Sequence, residues 1–251
     1  MSDIRTKTIR WGVVCITGNY RENNEDSFLI EQDGHVFVVA DGMGGMSAGE
    51  IASEMAVQLV SQKLGELIDF DSSPPEQVAA AIEEAVRYAN LEIMSAGQLN
   101  PDLHSMGTTI ALVVIVGHAA YIAGVGDSRV YSMRGQTFEQ LTKDHSVSQA
   151  LLESGAISKE EAATHPFRNH LSQFLGGEDR EFELETRQCP LDSGDRFILC
   201  SDGVTDGVDD DTLATELHEI DDPQRAAQTI VRAAQSGRSR DNITCIVVHV
   251  I

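Results

Sequence analysis

The chain of 251 residues carries 40 acidic and 18 basic side chains, a formal charge of −22, with 41% hydrophobic and 23% charged residues. That length supports one large domain with its own core, and that composition is globular rather than disordered. So negative a balance, with no window rich in lysine and arginine, argues against nucleic acid and against an anionic membrane surface as partners.

Taken in chain order, the first ten residues carry Arg5, Lys7 and Arg10 but no apolar run follows, which predicts no signal peptide. WGVVCI, SFLIEQ and HVFVVA read as strands. A helix is predicted from Ala48 to Ile68, with Ile51, Met55, Leu59 and Leu64 on one face and Ser47 with Glu50 as its capping box. A second runs from about Pro74 to Gln98, striped by Val78, Ile82, Ala85, Ala89 and Ile93 and capped by Ser73 with Glu76. From Leu103 to Gly126 no residue is charged, formally long enough for a membrane span. The run divides at Gly117-His118 into two short β-branched segments, however, and reads better as a buried hairpin.

RVYSM, FELETR, RFILC and NITCIVVHVI complete the strands, and a third helix follows the Asp222-Pro223 pair. Residues 145 to 176 hold only short helical fragments, SVSQALLESG and SKEEAATH, which marks an insertion over a surface or cleft. Several strands are apolar at consecutive positions, as expected when both faces of a sheet are covered. With strands at both ends, helices grouped between them and no linker, a single α+β layered domain over residues 1–251 is predicted. Cys15, Cys189, Cys200 and Cys245 show no metal-binding spacing and read as free thiols of a reducing, cytoplasmic compartment.

The chemistry lies in a recurring pattern, an apolar strand ending in aspartate and then a small residue. It occurs as VFVVADG with Asp41, IAGVGDS with Asp127 and FILCSDG with Asp202, while Asp241 immediately precedes ITCIVVHV. Strand ends hold side chains on a rigid edge, where they can converge. Converged carboxylates repel one another and must take up protons or cations. Oxygen donors without neighbouring histidine or cysteine select magnesium, manganese or calcium rather than zinc. Taken singly, each Asp-Gly is an ordinary turn, and it is the four together that point to a site. RENNEDS adds Arg21, Glu25 and Asp26 just upstream of the strand leading to Asp41, and an arginine beside a cation cluster suits a phosphate.

In order, RENNEDS, ADGMGGMSAGE, SMGTT, GVGDSR, LTKDHS, LCSDGVTD and DNIT resemble the type 2C metal-dependent protein serine/threonine phosphatases in their bacterial form, over essentially the whole chain. The resemblance implies a four-layer α-β-β-α sandwich of two antiparallel sheets flanked by helices, with two Mn2+ or Mg2+ ions at one end and a third beside them. It implies that Asp41 bridges both core ions with the Gly42 carbonyl as a further ligand, and that Asp202 and Asp241 complete the first site. Glu25 and Asp26 hold coordinated waters around the second, Asp127 shares a third ion with Asp202, and Asn242 is a polar neighbour. The resemblance further implies that Arg21 would grip the substrate phosphate and that a hydroxide bridging the ions would attack it. The implied partners are phosphorylated proteins, substrates of a serine/threonine kinase, met by a monomer. Residues 145–176 match the family's variable flap.

Met43 stands where many eukaryotic members carry a histidine proposed as general acid, so no general acid follows from the sequence. Met46 also replaces a histidine and reads as packing at the helix start. His145, His165 and His170 read as turn residues rather than ligands. The alternative is a catalytically silent, metal- or phosphoprotein-binding regulator of the same fold, but such relatives lose a metal aspartate or the arginine, and all are present here. A calcium-binding structural domain fails for want of an EF-hand-like run, with Asp209 to Asp211 read as a short solvated loop.

Overall fold

The computed structural model describes residues 8–44, 48–177, 182 and 184–251. In chain order these form β1 (Ile9–Ile16), β2 (Asp26–Ile30), β3 (Val36–Met43), α1 (Ala48–Leu67), α2 (Pro75–Leu99), β4 (Gly107–Thr108), β5 (Ile110–Val116) and β6 (Ala119–Val125). There follow β7 (Arg129–Arg134), β8 (Thr137–Gln140), α3 (Val147–Glu153), α4 (Lys159–Ala163), β9 (Arg187–Pro190), β10 (Arg196–Cys200), α5 (Asp202–Thr205), α6 (Asp210–Glu219), α7 (Pro223–Ser236) and β11 (Ile243–Val250). One antiparallel sheet has the order β1-β11-β10-β7-β8 and the other β2-β3-β5-β6-β9, with β4 paired to β3.

The consecutive apolar runs acquire their meaning in these layers. Along β3, Val36, Val38 and Ala40 pack under α1 and α2, while Phe37 and Val39 turn to the opposite sheet. β5 divides the same way, with Ile110, Leu112 and Val114 toward the helices and Ala111, Val113 and Ile115 inward. Across the sandwich Ile246 and Val248 of β11 meet that inner layer, whereas Cys245 and Val247 face Ile230, Val231 and Ala234 of α7. Burial on both faces of each central strand, at about 1.5–3 kcal/mol per large aliphatic side chain, fixes the register, because a one-residue slip would exchange the two apolar faces. The result is an α+β four-layer sandwich.

The uncharged 103–126 run forms the expected hairpin, β5 and β6 turning through Gly117 at φ 55°. Among the described residues no helix is long and apolar enough to cross a membrane. Three local expectations need correction. Ser73 does not cap α2, whose N-cap is Pro74. The Ser73 hydroxyl accepts the Asp69 N–H at 2.9 Å and closes the α1–α2 turn instead. Within FELETR the described residues before Arg187 are not strand, and pairing with β6 begins at Arg187. Asp209 to Asp211 is the start of a helix rather than a loop, with the Asp209 carboxylate accepting the Thr212 N–H at 2.8 Å. Ser47, Met46 and the basic residues Arg5 and Lys7 lie outside the described residues. All four cysteines are free, Cys200 and Cys245 fully buried.

Candidate metal centre

Antiparallel pairing brings the starts of β2 and β11 and the ends of β3, β6 and β10 to one end of the sandwich. Asp26 is directly opposite Asp41 in the β2–β3 register. Two carboxylates opposed on neighbouring strands destabilise a sheet unless a proton or cation lies between them. Asp241 precedes β11, Asp202 opens α5 after β10, and Asp127 occupies the turn between β6 and β7.

Each side chain is held by its surroundings. Asp26 is 6% exposed, and its Oδ2 accepts from the Ser201 and Thr244 hydroxyls, both at 2.7 Å. The Asp41 N–H donates to Thr109 Oγ1 at 2.9 Å and its carbonyl accepts from Thr108 Oγ1 at 2.9 Å, so the weakly informative Gly-Thr-Thr triplet fixes the backbone of the central aspartate. Gly42 admits no side chain, since a Cβ there would lie 2.0 Å from the Gly49 carbonyl oxygen at the start of α1. The Glu25 carbonyl accepts the Gly42 N–H at 3.0 Å and the Ser53 hydroxyl at 2.6 Å, which fastens RENNEDS to α1. Asn242 is buried; its backbone N–H donates to Asp241 Oδ1 at 2.8 Å, and its side chain bonds to backbone. It donates to the Thr17 and Asn23 carbonyls at 2.9 and 2.8 Å and accepts the Glu25 N–H at 2.8 Å, stapling the β1–β2 loop to β11. Arg21, 45% exposed, donates to Asp241 Oδ2 at 2.6 Å.

Loss of water, and then the carboxylates of Asp26, Asp202, Asp241 and Asp127, push Asp41 well above the ordinary carboxylate range. Desolvation with Asp127 and Asp241 does the same to Asp202. Asp26 is pushed up to about 7 by burial, against the opposing effect of its two hydroxyl donors, and Asp127 to about 6 by desolvation and Asp144. Desolvation also raises Glu25, with Arg21 partly offsetting it. Asp206, which the sequence reading passed over, adds to the repulsion on both Asp127 and Asp202.

These residues fit hard divalent cations. Asp26 Oδ1 and Asp202 Oδ1 are buried polar atoms with no hydrogen-bond partner, an arrangement costing about 1–3 kcal/mol each unless a ligand supplies the partner. The donors in this cluster are oxygens, the chemistry of magnesium and manganese. Among the described residues no three such side chains close into a cage around one point. His145 and His165 take no place among the donors: His145 Nδ1 accepts the Gly126 N–H at 3.2 Å and His165 Nδ1 the Phe167 N–H at 3.2 Å, both turn contacts.

Sequence reasoning missed Ser201, Thr244, Ser53 and Thr109 as supports of the cluster. The signal was present in part, because Ser201 and Thr244 are each within three residues of a strand-end aspartate.

Fold and donor set together define an α-β-β-α sandwich with a cluster of carboxylate oxygens suited to divalent cations at one end. The chain belongs to the protein phosphatase 2C family, which it matches over residues 19–236, in its bacterial form. It is 37% identical over 239 residues to the serine/threonine phosphatase stp of Listeria monocytogenes serotype 4b, covering 92% of each chain. It is 34% identical over 246 residues to the serine/threonine protein phosphatase PstP of Mycobacterium tuberculosis, covering 98% of this chain and 46% of that protein, and so spans about half the length of that relative. The crystal structure of the PstP catalytic domain in complex with two manganese ions superimposes with a TM-score of 0.83 at 35% identity, covering 98% of this chain and all of that one.

Proposed function

We propose that the chain is a metal-dependent phosphatase that hydrolyses phosphoserine and phosphothreonine in proteins. The observation that carries this reading is the opposed Asp26–Asp41 pair with two orphaned carboxylate oxygens beside it, next to an arginine in a chain with few basic residues. Asp41, Asp202, Asp241 and the Gly42 carbonyl would hold the core ions, with Glu25 and Asp26 beside the second. Manganese is the metal of the PstP complex, and magnesium suits the same oxygens. Asp127 with Asp202 would hold a third, weaker ion.

Bound divalent cations supply a water acidic enough near neutral pH to attack phosphorus, and charge that offsets the phosphoryl oxygens. The protein's own part is positional. Arg21, exposed and paired among the described residues with Asp241, turns its planar fork onto phosphoryl oxygens when substrate arrives. Thr108 and Thr109 hold the backbone of Asp41, and Ser201 and Thr244 hold one carboxylate oxygen of Asp26. Substrates are phosphoproteins made by a serine/threonine kinase, in cytoplasmic signalling, and the protein acts as a monomer whose 145–176 segment forms a flap beside the site.

The test is release of phosphate from p-nitrophenyl phosphate and from a phosphothreonine peptide, with manganese, without it and with excess chelator. Turnover that depends on manganese and stops with chelator is expected. Undiminished turnover in chelator would overturn the reading, and tight phosphopeptide binding without turnover at saturating manganese would favour the silent regulator.

A further inference from the structure

A cleft of about 640 Å³ opens directly beside the metal centre, with Asp127 and Asp202 on its sandwich wall and the 145–176 segment as its other wall. The two walls differ in charge. On the sandwich side Asp127 and Asp202 belong to the carboxylate cluster, Asp144 is gripped by Arg129 through Nε at 2.9 Å and Nη2 at 2.7 Å, and Asp210 accepts from the Tyr131 hydroxyl at 3.0 Å. Asp206 accepts from Asn169 at 3.3 Å and stands with the Asp127–Asp202 cluster. On the 145–176 side the charged residues lining the cleft are Lys159 and Arg168, both exposed, and among the described residues neither forms an ion pair. Lys143, at the root of that segment, also lines the cleft and is paired with Glu153 at 2.7 Å. The nearby Glu161 does not line the cleft and is turned back onto the Ser158 N–H at 2.8 Å.

Two cations with no ion pair among the described residues thus line the cleft that opens beside the carboxylate cluster, in a protein of net charge −22. Elsewhere the surface field repels acidic chains, so a local basic wall selects for one. We propose that this cleft is a specificity subsite for acidic phosphopeptides: while the phosphorylated side chain reaches the carboxylate end of the sandwich, Lys159 and Arg168 hold a glutamate or aspartate flanking it in sequence. The inference rests on the phosphatase reading and adds the substrate class.

The experiment uses the full chain with manganese and three substrates: a phosphothreonine peptide flanked by glutamates, the same peptide with glutamines, and p-nitrophenyl phosphate, which has no flanking residues. For the wild type, kcat/KM for the glutamate peptide should exceed that for the glutamine peptide by roughly 2–25-fold, as two exposed charge contacts of roughly 1.5–5-fold each allow, and the excess should shrink as salt rises. In a Lys159→Glu/Arg168→Glu variant the preference should vanish or invert through KM, with each single variant intermediate. Activity on p-nitrophenyl phosphate in the variant reports that the protein is folded, so the ratio between peptides is the readout. Equal kcat/KM for the two peptides in the wild type, or a preference that survives the double substitution, overturns the subsite. A wild type inactive on all three substrates defeats the phosphatase reading itself, and this inference with it.

Discussion

Two corners of the metal centre carry the same charge in different surroundings. At the Asp26–Asp41 corner both residues lie in paired strands, two hydroxyls fix one Asp26 oxygen, and two threonines fix the Asp41 backbone. At the Asp127 corner the carboxylate sits on a turn behind Gly126, at φ 99°, and borders the open cleft. Both corners hold protons more tightly than ordinary carboxylates do, Asp26 to about 7 and Asp127 to about 6. Repulsion alone therefore does not distinguish them. What differs is how much of a cation's coordination shell the protein has set in advance, so the closed corner should bind tightly and the open one weakly.

Breaking the closed corner should have the largest effect. Asp41→Asn removes the carboxylate that faces all the others and should lower kcat/KM by well over about 100-fold, more than the loss of an outer-shell partner costs. Because it also removes a charge repelled by its neighbours, the metal-free variant should melt no lower than the wild type. Near-normal turnover at saturating manganese would sink the two-ion reading.

The next effect sharpens the boundary of that corner. A charge-assisted contact is worth roughly 1.5–3 kcal/mol, so Arg21→Ala should lower kcat/KM about 10- to 150-fold. Sequence alone suggests metal affinity untouched. The 2.6 Å pair with Asp241 changes that expectation, because Arg21 competes with a cation for Oδ2. As the pair is half exposed its contribution is small, and manganese should bind up to about 5-fold more tightly to the variant by calorimetry. Unaltered kcat/KM on a phosphopeptide would remove Arg21 from the mechanism.

At the open corner, Asp127→Ala should spare tight manganese binding and melting temperature while costing about 10-fold in turnover, chiefly at low manganese. A lowered melting temperature with normal saturating turnover would assign Asp127 to the turn instead, where Gly126 already packs on Thr109 and a Cβ would meet Thr109 Cγ2 at 2.6 Å.

The contrast also explains what was legible in the sequence. The strand-end aspartates could be read because a strand that stops at Asp-Gly announces itself locally, and the layering because apolar runs such as IALVVIV need cover on both faces. The supports could not be read the same way. Ser201 and Thr244 are 43 residues apart and meet on Asp26 only through the β10–β11 pairing and the opposing sheet. Asn242, which the resemblance implies as a polar neighbour of the site, bonds Asp241 through its own N–H while its side chain also ties down the β1–β2 loop, a part that only the fold shows. Ser73 shows the same limit at shorter range, since a cap motif competes with a turn that closes on the same hydroxyl.

The smallest effect separates the corners by pH. A carboxylate whose folded pKa is raised holds its proton more tightly in the folded state. Its contribution to stability is therefore present at low pH and is lost as pH rises through the folded value. For Asp26 that loss runs from the ordinary carboxylate range near 4 up to about 7, and for Asp127 up to about 6. Metal-free protein should gain stability on acidification from pH 8 to 5.5, by about 2 kcal/mol from Asp26, which corresponds to roughly 4–8 °C in melting temperature. Asp26→Asn should flatten the rise from about pH 7 downward, and Asp127→Asn only the part below about pH 6. Saturating manganese keeps the carboxylates ionised and should reverse the trend, its stabilisation growing as pH rises. Melting curves of the three proteins, with chelator and with manganese, test this directly. A metal-free melting temperature that falls steadily between pH 8 and 5.5 would mean that ion pairs elsewhere, such as Arg134 with Asp195, outweigh the repulsion in the site.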